Sequence, residues 1–219
     1  MEKSGCTIHA EHGGVMWKGG GWLDTRRFLE ASKGYFREHG FFEVREVDIE
    51  GPDPNADVTV LCVGAAGLGA GPFEFLPERR AKGEILTVRI LGFSEDRILN
   101  LNGGLVPLGG GLFRAGATYD WREFNDTITP AGRAQIEELI QSFTSLPYEV
   151  VEHVAGVRPI VRRSQPVIGR HPERDDLAIF NGLGSKGVLY APGVADRLAA
   201  HLGEGTAIES DLHVQAVVV

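Results

Sequence analysis

Three glycines, Gly182, Gly184 and Gly187, stand in the spacing G-x-G-x-x-G within Asn181-Gly182-Leu183-Gly184-Ser185-Lys186-Gly187. A strand-like run, residues 177–180, precedes them. A helical stripe follows, with Val188, Ala191, Ala195, Leu198, Ala199 and Leu202 at helical spacing and Gly203 and Gly205 as its stop. Glycines at such a junction let backbone approach a ligand closely, and the helix start offers unpaired N–H groups with partial positive charge. That chemistry suits a phosphate or a developing negative charge. Glu204 lies about 20 residues downstream, where a nicotinamide-dinucleotide fingerprint places its ribose ligand. An NAD module is nevertheless disfavoured, because no further alternation of strands and helices follows Glu204 and a lone G-x-G-x-x-G is a weak signal. Spacing alone leaves two readings open, a ligand cradle and a plain tight strand–helix turn.

Other chemistry-bearing residues are sparse. Ser164, Ser185 and Ser210 have no triad context. His9 and His12 are three apart, but two ligands in a glycine-rich terminus fall short of a metal set, so no metal is expected. Cys62 lies in an apolar run and reads as a buried free thiol; Cys6 is the other cysteine. Arg158 stands in Gly156-Val157-Arg158-Pro159, and by type alone it suits either a carboxylate clamp or a structural ion pair.

The elements that must position these residues come from periodicity. Residues 14–17 read as a short strand. Asp24 reads as an N-cap for a helix with Phe28, Leu29, Tyr35 and Phe36 on one face and Gly40 at its stop. Residues 41–47 alternate as a strand does. Residues 58–63 (VTVLCV) form a short apolar, β-branched run, the profile of a fully buried and parallel strand, running straight into Gly64-Ala65-Ala66-Gly67. Residues 84–90, 97–101, 104–107 and 112–118 read as an antiparallel meander. Thr129-Pro130 opens a helix with Ile136, Leu139, Ile140 and Phe143 as its stripe. Strands are expected at 148–157 and 213–219, and a turn-flanked apolar segment at 166–169.

The chain has 219 residues, 42% hydrophobic and 24% charged, enough for one ordinary domain or two small interleaved ones. Its formal charge of −8 argues against nucleic-acid and anionic-membrane partners. Basic residues do gather locally at Arg158, Arg162, Arg163, Arg170 and Arg174. No secretory pattern or membrane-length apolar run is present, so a cytoplasmic setting is expected. The 30 glycines have no fixed period; they cluster at 19–21, 64–71, 103–111 and 182–187.

Taken together, Gly156-Val157-Arg158-Pro159, Gln165-Pro166-Val167-Ile168-Gly169 and the run Asn181-to-Pro192 (NGLGSKGVLYAP) resemble the D-amino-acid-oxidase-like family of FAD-dependent oxidoreductases. Gly20-Gly21-Trp22-Leu23-Asp24, the 58–67 segment, Lys82-Gly83-Glu84 and Gly116-Ala117-Thr118-Tyr119 fit the same pattern. The resemblance implies a mixed α/β and α+β fold, in which a partial FAD-binding α/β domain is interleaved with a substrate domain on a mixed, largely antiparallel sheet. The implied division is 1–76 for FAD-domain elements with a substrate-domain stretch, 77–157 for the substrate domain, and 158–219 for the C-terminal part of the FAD domain.

The resemblance also implies FAD as cofactor and a small amine or amino acid as substrate; relatives handle glycine, sarcosine, D-amino acids and aminomethyl groups on RNA. The expected reaction is hydride transfer from the substrate Cα to flavin N5. Arg158 matches the arginine that grips the substrate carboxylate. Gly64, Ala65, Gly182, Leu183, Gly184, Ser185, Lys186, Gly187 and Val188 match cofactor-facing positions, with Tyr119 as a weaker pocket-wall position. The family's own N-terminal G-x-G-x-x-G unit has no counterpart before Trp17, and Gln215 to Val219 departs from the usual basic-aromatic finish. A truncated chain, a homo-oligomer or a second chain supplying that unit is therefore expected. The alternative is a non-catalytic remnant that serves as a binding module.

Overall fold

The structure, a computed structural model, describes residues 13–161 and 165–217. The chain divides into two compact units: Met1–Trp22 with Ala81–Val157, and Leu23–Arg80 with Arg158–Val219. His9, His12, Cys6, Arg162, Arg163 and Ser164 lie outside the described residues.

In the first unit, β2 (Ala81–Arg89), β3 (Leu99–Asn100), β4 (Gly104–Gly109), β5 (Leu112–Gly116) and β6 (Glu149–Arg158) form one sheet in the order β3-β4-β5-β2-β6. The β4–β5 hairpin closes through Gly109, Gly110 and Gly111, all at positive φ, a geometry that side chains resist. Helix α2 (Pro130–Phe143) starts where Thr129-Pro130 places it, and the Thr129 hydroxyl accepts the Gly132 N–H at 2.9 Å. Its residues Ile136, Ile140 and Phe143 pack on Leu86, Val88, Ile90, Phe113 and Ala115. Each such side chain is worth about 1.5–3 kcal/mol of burial. The four central strands are those expected, but β2 pairs with β5 across the β3–β4 excursion, so the order is not a simple meander.

Two charged residues are buried on β2. Lys82 Nζ reaches Glu123 Oε2 at 3.2 Å and Asn125 Oδ1 at 3.0 Å. Glu84 accepts the Thr129 N–H at 2.9 Å and its hydroxyl at 2.7 Å. His153 Nε2 stands 2.7 Å from Glu84 Oε2, close enough for a charge contact although its angle is not that of a hydrogen bond. Burial alone would raise the Glu84 carboxyl, but the two Thr129 donors and His153 outweigh it and hold the group below the usual carboxylate range.

In the second unit, β1 (Thr59–Leu61), β7 (Val167–Arg170) and β8 (Leu177–Asn181) form a three-stranded sheet in the order β1-β8-β7. β1 runs parallel to β8, and β7 antiparallel. Helix α3 (Gly187–Glu204) packs through Val194 and Leu198 on Ile168, and Gly205 ends it at φ +72°. The other sheet face, with Leu61, Val167 and Ile179, packs on Phe73, Leu76 and Val214.

Helix α1 (Thr25–Glu38) is capped as expected, Asp24 accepting the Arg27 N–H at 3.2 Å. It buries none of its residues, and Phe28, Leu29, Tyr35 and Phe36 are all exposed.

Several expectations need correction. Residues 14–17 and 41–47 are not strands, since neither has a ladder partner among the described residues. β1 is shorter than expected, and Leu61 is its buried residue while Thr59 and Val60 are half-buried. Cys62 is exposed, because the strand ends at Leu61 and its neighbour turns outward. Leu198 of the expected α3 stripe is buried, but Val188, Ala195 and Ala199 face solvent, because the buried stripe pairs Leu198 with Val194. Beyond a single bridge from His213 to Ile168, the tail turns as a 3-10 helix, Val214–Val217, with residues 218–219 outside the described part.

Candidate functional site

The C-terminal ends of β1 and β8 lie side by side because the two strands pair in parallel, Leu61 opposite Ile179. In open α/β sheets, ligands bind outside these carboxyl ends. β1 leads into a 3-10 turn, Gly64–Gly67, which carries Gly64 and Ala65. β8 leads into the loop Gly182, Leu183, Gly184, Ser185 and Lys186, and then into α3, whose first residues are Gly187 and Val188. All nine of these residues belong to the second unit.

Backbone conformation explains two of the glycines. Gly182 has φ +76°, and a Cβ there would lie 2.9 Å from the Gln165 carbonyl oxygen and 3.0 Å from Val161 Cγ2. Gly64 has φ +57° and nothing within 4 Å of its Cβ position, so its left-handed turn presents bare backbone to open space.

Buried Asn181, only 3% exposed, joins the two strand ends. Its Nδ2 donates to the Gly64 carbonyl at 2.9 Å, and its Oδ1 accepts the Gly182 N–H at 2.8 Å. The loop is tied a second time by the Gly184 N–H, which donates to the Pro159 carbonyl at 2.9 Å. Arg158, the residue before Pro159, thus has its backbone held next to the glycine loop. Lys186 is the N-cap of α3 and provides no side-chain cap; its ammonium lies 5.8 Å from the Tyr190 ring centre. Leu189 and Tyr190 donate to the Lys186 carbonyl, which leaves the Gly187 and Val188 N–H groups without an intrahelical acceptor and as donors for negative charge.

The family described as FAD dependent oxidoreductase (DAO) matches this chain over residues 4–201. The chain belongs to that family. Its cofactor is FAD, and the bare Gly64 turn and the uncapped α3 start fit such a group: open backbone for a flat ring, and donors for the negative charge of a reduced flavin. The chain is 33% identical over 124 residues to glycine oxidase of Bacillus licheniformis, covering 54% of this chain and 33% of that protein. It is 34% identical over 107 residues to the tRNA 5-methylaminomethyl-2-thiouridine biosynthesis bifunctional protein of Marinobacter nauticus, covering 43% of this chain and 17% of that one. Among solved structures it resembles iminodiacetate oxidase from a Chelativorans species, with TM-score 0.57 and 25% identity over 70% of this chain and 44% of that one. The chain thus spans a third or less of the curated relatives' length and under half of the solved one.

Of the residues singled out in sequence, the fold brings Gly64, Ala65 and the Gly182–Val188 stretch to one end of one sheet, with Arg158 one residue from the loop's anchor. Tyr119 is in the other unit, half exposed, its ring stacked on Trp121 at 6.0 Å. No cluster of three or more metal-ligating side chains occurs among the described residues, and none of their helices is long and apolar enough to cross a membrane. Sequence reasoning missed Asn181 as a site residue. Its signal was a polar side chain closing the apolar run of β8, where burial demands partners at both ends of the amide.

Proposed function

We propose that this chain is the catalytic part of an FAD-dependent amine or amino-acid oxidoreductase, with the β1 and β8 ends and the start of α3 facing the flavin. The observation that carries this reading is the pair of glycine elements at the carboxyl ends of two parallel strands, tied to each other by Asn181 and to Pro159 by Gly184. FAD, when bound, supplies the redox chemistry by accepting at N5 the hydride that leaves the substrate Cα. The substrate amine loses a proton to solvent in the same conversion, giving an imine.

The protein's part is orientation and electrostatics. Arg158 grips the substrate carboxylate with two parallel N–H donors, which fixes the Cα–H direction. The N–H groups of Gly187 and Val188, with Lys186 beside them, favour negative charge at the cofactor's pyrimidine end. The glycine oxidase and iminodiacetate oxidase relatives support a small carboxylate-bearing amine as the substrate class. The second unit would be the FAD-binding part, and residues 77–157 the substrate part. The bare face of α1 supports completion of the FAD site by further polypeptide, from a longer chain, a second copy or another protein.

The test is Arg158→Ala in flavin-loaded protein, assayed with glycine and iminodiacetate. KM should rise by about a hundredfold, the order of a lost charged hydrogen-bond pair. Flavin content should not change. Unaltered kinetics would remove Arg158 from the site, and full flavin loading without turnover of any amine would favour a binding remnant over an enzyme.

A further inference from the structure

The two glycine elements proposed to face FAD are separate in sequence. The Gly64–Gly67 turn is a short 3-10 helix whose end closes where the Leu68 N–H donates to the Ala65 carbonyl at 3.4 Å. The Gly182 loop must keep a left-handed glycine at its first position. Asn181 fastens one to the other.

Its backbone is fixed by antiparallel pairing opposite Val167, the last pair of the β7–β8 ladder. Its carboxamide orientation is also fixed. One neighbour is a carbonyl and the other an N–H, so a flipped amide would set oxygen against oxygen and N–H against N–H. At 3% exposure, water cannot replace either partner at low cost. The β1–β8 pairing brings the two strand ends side by side, and past those ends the Asn181 carboxamide ties Gly64 directly to Gly182.

We infer that Asn181 is a positioning residue for the cofactor: its carboxamide holds the Gly64 turn and the Gly182 loop at the separation that FAD requires. This rests on the reading that those two elements face FAD. Aspartate is nearly isosteric and keeps an acceptor for the Gly182 N–H, but it turns a second oxygen toward the Gly64 carbonyl. Alanine removes both bonds. Neither change alters a residue that is itself proposed to face FAD.

The experiment titrates FAD into the wild-type protein and into Asn181→Ala, Asn181→Asp and Ile179→Ala, reading flavin fluorescence, the visible absorption band and Tm. Ile179 is buried on the same strand with its side chain in the core, so its truncation lowers stability without cutting the clamp. Both Asn181 variants should weaken FAD binding by about tenfold or more, the order expected when a buried donor and acceptor each lose a partner. They should also displace the visible flavin band. Ile179→Ala should keep the wild-type band, and its Kd should stay within about twofold at temperatures well below its Tm. Equal weakening by Ile179→Ala and Asn181→Ala would reduce Asn181 to a structural residue and overturn the inference, as would an unchanged Kd and band in Asn181→Ala. If both Asn181 variants failed to fold while Ile179→Ala folded, the amide would be a folding determinant and its cofactor role would fall. Wild-type protein that takes up no FAD would remove the cofactor reading itself, and that result appears before any variant is compared.

Discussion

Helices α1 and α2 have the same length, fourteen residues, and each begins at a side-chain cap. Each also carries an apolar face at helical spacing. α2 buries Ile136, Ile140 and Phe143 on a five-stranded sheet. α1 leaves Phe28, Leu29, Tyr35 and Phe36 in solvent, and the apolar residues Phe41, Val44 and Val47 that follow it are exposed too. So many exposed apolar side chains in one stretch are uncommon on an isolated soluble domain. The difference teaches that an amphipathic pattern specifies a helix and a face, while the partner of that face is a separate fact.

The comparison breaks most easily at its buried end. Phe143→Ala should destabilise the first unit by about 3–5 kcal/mol through lost burial and a residual cavity. Urea unfolding followed by circular dichroism would measure this; a loss under 1 kcal/mol, small against that range, would mean that α2 does not seal this sheet.

A smaller effect is expected at the polar seam where α2 begins. Glu84→Gln removes the charge that accepts both Thr129 donors and should cost about 2 kcal/mol at neutral pH. Its pH dependence has a defined sign. The Glu84 carboxyl is held below its ordinary value of 4.5, so the unfolded chain takes up that proton first as pH falls. The contribution is complete above that value and is lost as pH drops through the lower folded value. Wild type and Glu84→Gln should therefore differ most in Tm near neutrality and converge in acid, and a constant difference down to low pH would contradict the assignment.

The smallest effect belongs to α1. Phe36→Ala should shift the stability of the chain by less than about 0.5 kcal/mol, as for exposed positions. It should also reduce binding of an apolar fluorescent dye. A large loss of stability would show that α1 is already buried against protein in solution.

Much of this was legible in the sequence, and the failures share a cause. The caps at Asp24 and Thr129, the hairpin glycines and the strand–glycine–helix passage at 177–204 are local signals, and local chemistry decides them. Residues 41–47 alternate like a strand, yet no described strand pairs with them, because pairing depends on what lies elsewhere in the molecule. The apolar face of α3 was right at Leu198 and Leu202 but wrong at Val188, Ala195 and Ala199, which are exposed, and it omitted buried Val194. Asn181 was hidden for a similar reason: its two partners are 117 residues and one residue away, and only the parallel pairing of β1 with β8 brings the distant one near.

The most direct test of the account is the visible absorption spectrum of the purified chain, taken before and after incubation with FAD and desalting. Flavin bands that survive desalting are predicted, in the chain alone or together with the further polypeptide proposed above to complete the FAD site. A chain that stays colourless in both states would contradict the assignment of the Gly64 turn and the Gly182–Val188 stretch to the cofactor.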